Sequence, residues 1–148
     1  MESPGREWAL FFLQTAIAFV PLFIVNLVFL STTTIYDGGL QAIGFLISLF
    51  AGPVLTNLLC VVVGSPIRLW PTIRRWWRRH RWIAPAGAGA AAVLLVLAFL
   101  LSAPEVGYGE LGDAHTLMVP NIPVYFVGWF LLSFSITHWW PPLSADAT

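Results

Sequence analysis

A chain of 148 residues is long enough for one domain, but 58% of it is hydrophobic, only 9% is charged, and mean hydropathy is +0.81. Soluble domains run near 45–50% apolar and about 25% charged, so this chain can neither cover a water-soluble globule nor stay disordered by charge. Net charge is formally zero, yet every basic residue is Arg, and all but Arg6 lie between Arg68 and Arg81. An integral membrane protein remains. The sequence predicts an all-α membrane protein: a single domain, 1–148, of four transmembrane helices, with a short amphipathic interfacial helix between helices 2 and 3.

The first span is expected over Trp8 to Leu30. A hydrocarbon core of about 30 Å needs about 20 helical residues. The run is too long for a signal-peptide core and ends in Ser31-Thr32-Thr33-Thr34 without a small-x-small cleavage site, so it reads as an uncleaved helix. The second span is expected over Leu40 to Val63, the third over Ile83 to Leu101, and the fourth, barely long enough, over Val119 to Thr137. None of the four contains Asp, Glu, Lys or Arg. Helices satisfy their own backbone polar groups in lipid, and the alternation of a β-barrel is missing.

The connector from Gly64 to Trp82 carries six Arg. The loop before it carries Asp37, and the loop after span three carries Glu105, Glu110 and Asp113, both without a base. Basic loops stay cytoplasmic. Both termini and the Arg connector are therefore expected inside a plasma or inner membrane, and the two acidic loops outside. The second acidic loop, with Gly107, Gly109 and Gly112, is expected to be irregular and mobile, and the tail from Pro141 to Thr148 to fray.

Projected at 100° per residue from position 68 to 81, Leu69, Trp70, Ile73, Trp76 and Trp77 fall within an arc of about 120°, with His80 beside them. Arg68, Arg74, Arg75, Arg78, Arg79 and Arg81 fall opposite. One aromatic and one cationic face suit a helix lying in the membrane interface, anchored by Trp rings and snorkelling Arg. The simplest role is topology signal and anchor. A sharper one is docking of anionic headgroups or an acidic partner, for which Arg offers bidentate geometry. The candidate lipid- or partner-binding residues are these six Arg with Trp70, Trp76 and Trp77. Nucleic acid is not expected, because lipid accounts for the aromatic face.

Polar residues within the spans are neutral: Gln14, Asn26, Gln41, Asn57, and hydroxyls such as Ser48, Thr56, Ser133, Ser135 and Thr137. Proton pumps, ion-coupled carriers and voltage sensors need ionisable groups there. Span two carries Gly44, Ser48, Gly52 and Thr56 four apart, a small-residue stripe that lets another backbone approach closely and marks a candidate helix-packing face. Spans three and four repeat the idea with Ala84, Ala88 and Ala92, with Gly87 and Ala91, and with Gly128, Leu132 and Ser135. Pro21 and Pro53 are expected to kink their helices.

A single cysteine, Cys60, excludes an intramolecular disulfide and a cysteine-clustered metal site. His115 falls in the outer loop and His80 and His138 near the inner interface, none deep in a span, so neither haem nor any other cofactor is expected, and no metal. His138, beside Trp139 and Trp140, reads as part of an interfacial aromatic belt. No phosphate-binding glycine loop or catalytic constellation is present. These readings favour a non-catalytic accessory or scaffold subunit whose partners are membrane lipids, anionic at the cytoplasmic leaflet, and other membrane-protein subunits or further copies of itself. A homo-oligomeric channel or carrier for a neutral or lipidic solute is the alternative. A lipid-acting enzyme comes last.

Overall fold

The computed structural model describes residues 4–34, 39–108 and 114–139. Asp37, Glu110, Asp113, Gly109, Gly112, Trp140 and the tail from Pro141, on which expectations were placed above, lie outside the described residues.

The apolar runs form helices because nothing else pairs their backbone groups away from water. They are α1 (Pro4–Thr33), α2 (Gly39–Val63), α3 (Ser65–Leu69), α4 (Pro71–Arg79), α5 (Ile83–Leu100) and α6 (Ile122–Thr137). Three of them, α1, α2 and α5, are long and apolar enough to cross a membrane. The fourth apolar helix is shorter than its predicted span. Its 16 residues, at 1.5 Å each, cover about 24 Å. The expected start at Val119 fails because residues 114–119 form a strand and Pro120 follows. The helix begins only after Asn121, whose side chain accepts from the Val124 amide at 3.3 Å. An Asn at this position satisfies one of the amides that a helix start leaves open.

The described residues of the glycine-bearing loop after α5 are not irregular, contrary to expectation. Ala103–Tyr108 (β1) and Ala114–Val119 (β2) form an antiparallel hairpin, pairing Ala103 with Val119 through Tyr108 with Ala114. Val106, Tyr108, Thr116 and Val119 suit extended backbone, and Pro104 is tolerated because a two-stranded ribbon has only edges. β2 packs against α1.

Helix α6 is the centre of the bundle. α5 lies along it, and α1 and α2 also pack on it and on each other. The close α5–α6 approach depends on small residues. A side chain at Gly128 would come within 3.1 Å of Leu94 and 3.2 Å of the Ala91 carbonyl, and one at Gly87 would collide with the Ser135 hydroxyl. Around this seam Leu22, Ala91, Leu95, Ala98, Tyr125, Trp129 and Leu132 form the main core. A second core of Ile67, Trp77 and Ala84, with Phe134 beside it, joins α3 and α4 to the ends of α5 and α6. Pro21 and Pro53 both lie inside continuous helices. Much of the outward surface is large and apolar, including Ile17, Ile24, Leu46, Ile47, Leu55, Val93 and Val96. Soluble monomers rarely expose so much contiguous apolar surface, and these faces are apolar enough for a lipid surround.

Candidate functional site

The predicted interfacial helix over 68–81 is two helices. Pro71 forces the preceding Trp70 out of the helical region, to φ −96° and ψ 118°. Arg68 and Leu69 therefore end α3. α4 restarts at Pro71, which needs no amide partner at a helix start, and Arg81 lies in the turn after it.

This break divides the candidate residues into two groups. Arg68 is only partly exposed, and its guanidinium donates to the Thr137 carbonyl at 3.0 Å and to Gln14 Oε1 at 3.3 Å. A cation at the C-terminal end of α6 satisfies a carbonyl the helix cannot pair and meets the negative end of its dipole. Burial lowers the Arg68 pKa. Trp77 is buried, and its indole N–H donates to the His138 carbonyl at 3.0 Å. Arg68 and Trp77 thus bind α3 and α4 to the end of the bundle. Arg75, Arg79, Arg81, Trp70 and Trp76 are exposed, and Arg74 and Arg78 are partly so. Trp76 faces the His80 ring at 4.7 Å, and His80 Nδ1 lies 2.9 Å from the Trp76 carbonyl. The exposed part is a cationic and aromatic surface held on a fixed frame.

Beneath it lies a polar layer that no linear pattern announced. Asn57 donates to the Thr15 carbonyl at 3.0 Å and accepts from the Thr137 hydroxyl at 2.8 Å, joining α1, α2 and α6. His138 is 1% exposed and is part of this packing rather than of an interfacial belt. Its ring stacks on Phe134 at 4.4 Å, and Nδ1 lies 2.9 Å from the Phe134 carbonyl. Nδ1 therefore carries the proton, and Nε2 is buried without a hydrogen-bond partner among the described residues. Burial lowers the His138 pKa to about 4. The Phe134 carbonyl opposes this and the Arg68 charge adds to it. At neutral pH the ring is uncharged.

The stripe on α2 also divides. Gly44 has open space around it, and Ser48 is exposed. Gly52 lies against Asn26, whose amide donates to the carbonyls of Ser48 at 3.0 Å and Leu49 at 3.1 Å. Thr56 accepts from the Trp129 indole at 2.8 Å. Gly52 and Thr56 are therefore used within the chain, Ser48 lies at the exposed edge of the same seam, and Gly44 faces away from it. Neutral polar residues of the spans, Asn26, Asn57, Thr56 and Thr137, serve as interhelical hydrogen-bonding groups, the usual use of such residues in lipid.

The chain matches no protein-family model, no curated protein and no solved structure. Its reading rests on the geometry above.

Proposed function

We propose that this chain is a non-catalytic accessory or scaffold subunit of a larger membrane complex. In this reading both termini and the α3–α4 segment lie on the cytoplasmic side, and α4 rests at an anionic leaflet. The observation that carries it is the division of labour along one short segment. Arg68 and Trp77 hold the segment on the bundle through the Thr137 and His138 carbonyls. Arg75, Arg79, Arg81, Trp70 and Trp76 are left exposed beside one another. A merely topological signal would need no such frame. Each Arg near an anionic leaflet contributes about 1 kcal/mol, falling off within a Debye length. The other five Arg of the segment, exposed or partly so, also provide a surface for an acidic partner.

The test is a protein with Arg74, Arg75, Arg78 and Arg79 changed together to Gln, isolated from its own membrane and examined by native mass spectrometry across a salt series. The reading expects insertion to persist and bound anionic lipid to fall sharply. Loss of a protein subunit with lipid retained would assign the surface to partner docking. An unchanged lipid and subunit complement would reduce the segment to a topology signal.

A further inference from the structure

The hairpin has no part in the proposed function, yet its two faces differ sharply. Alternate residues of a strand share a face, and residues paired across an antiparallel ribbon lie on the same one. The register therefore collects Pro104, Val106 and Tyr108 of β1 with Met118, Thr116 and Ala114 of β2. All six are exposed, Val106 to 63%, Tyr108 to 70% and Met118 to 51%, and none is charged. The other face carries Glu105 and His115, and its Gly107, Leu117 and Val119 are half-buried where β2 packs against α1. The uncharged face is thus turned away from the bundle.

Helix length sets its depth. α5 has 18 residues and α6 has 16, about 27 and 24 Å at 1.5 Å each. With both crossing the membrane, as the proposed function has them, they fall short of a hydrocarbon core of about 30 Å. At the far end α6 is fixed by charge. Arg68 donates to the Thr137 carbonyl at 3.0 Å, and a guanidinium stays at the interface. The shortfall therefore lies at the hairpin end, where the Asn121 amide donates to the Ala98 carbonyl at 2.9 Å and brings the two helix ends level. Leu100 and Leu101, both exposed, lead from α5 into β1. The base of the hairpin then lies where acyl chains give way to headgroups.

We propose that the Val106–Met118 face of the hairpin binds the lipid surface, lying in the headgroup layer on the side opposite the arginine-bearing segment. Size argues against a protein partner. Two strands of six residues make a face about 20 Å by 10 Å. That is roughly 200 Å², against about 800 Å² per partner in a standard protein interface. A lipid surface has no such minimum, and it continues onto Leu100 and Leu101. Depth is bounded from both directions. Val106 and Met118 gain by leaving water. The sheet has only two strands, so each keeps one unpaired edge, which the hydrocarbon core does not tolerate and the headgroup layer does. Tyr108 suits the same layer, with an apolar ring and a hydroxyl that reaches water.

The experiment uses the full chain in phosphatidylcholine vesicles, spin-labelled at single cysteines in a Cys60→Ser background. Val106→Cys and Met118→Cys report the uncharged face, and Glu105→Cys the other; all three positions are exposed, so the fold is not at stake. Leu55→Cys, on the outward face of α2, is the reference for lipid contact. Each label is read by its collisions with oxygen, which concentrates in lipid, and with a water-soluble nickel chelate. The oxygen-to-nickel ratio should be several-fold higher at 106 and 118 than at 105, alternating along the ribbon. A ratio at 106 and 118 as low as at 105, with Leu55 in lipid, would place the hairpin in water and overturn the proposal. Low collision with both reagents at 106 and 118 would mean cover by protein, a second copy included, and overturn it equally. A nickel-accessible position 55 would instead remove the spanning helices, and this proposal with them.

Discussion

The imidazole of His138 occupies the space in which a side chain at Gly64 would begin. Gly64 has φ −84°, an ordinary conformation for any residue. Glycine is needed here for close approach alone. The contact lies where α2 ends and α3 begins, so it sets how the arginine-bearing segment meets α6.

Gly64→Ala should therefore be costly. The ring must move, and with it the carbonyl that accepts from Trp77. Overpacking of this kind costs about 1–3 kcal/mol. Gly89, where an added Cβ would meet nothing within 4 Å, is the matched control. In thermal unfolding in detergent, Gly64→Ala should melt several degrees lower and Gly89→Ala close to wild type. Equal midpoints would mean that the Gly64 contact does not constrain the fold.

His138 makes stability depend on pH. Its folded pKa, about 4, lies below the ordinary 6.5, so the unfolded chain binds more protons between these values. The contribution is complete above about pH 6.5 and is lost as pH falls towards 4. The slope in that window is about 1.4 kcal/mol per pH unit. Unfolding measured at pH 7.5, 5.5 and 4.5 should show wild type losing stability faster than His138→Gln. Parallel pH profiles for the two proteins would refute this.

Gly52 tests the inner half of the α2 stripe. A Cβ there would lie 3.2 Å from the Asn26 amide nitrogen, so Gly52→Leu should push Asn26 off the Ser48 and Leu49 carbonyls and part α1 from α2. Leu55 is 65% exposed, and Leu55→Ala should cost little. Thermal aggregation should separate the two variants clearly. If they behave alike, close α1–α2 packing at Gly52 is unimportant.

Orientation is tested by single cysteines at exposed positions, Tyr108→Cys in β1 and Thr72→Cys in α4, in a Cys60→Ser background. With the arginine-rich segment inside, an impermeant maleimide should label position 108 in intact cells and position 72 only after lysis. The reverse pattern would invert the proposed topology.

What the sequence determined was the helical, strongly apolar character of the chain. Long runs without charge read as helices apolar enough to cross a membrane, because in lipid the backbone has no other partner, and three such helices are found. The same runs located α1, α2 and α5 to within a few residues at most ends, and the clustering of Arg marked the segment that the fold leaves largely exposed. The tertiary structure decided which residues of that segment are free. Arg68 and Arg75 are alike in one dimension. Only the fold brings Arg68 to a carbonyl 69 positions away and leaves Arg75 exposed. The hairpin was missed because its glycines suggest a loop, whereas strand pairing is a property of two segments together. The polar layer of Asn57, Thr137 and His138 was illegible for the same reason. Asn57 and Thr137 are short polar groups in an apolar context that pair at 2.8 Å only once folding joins α2 to α6, and the His138 ring is buried where folding brings it against Gly64.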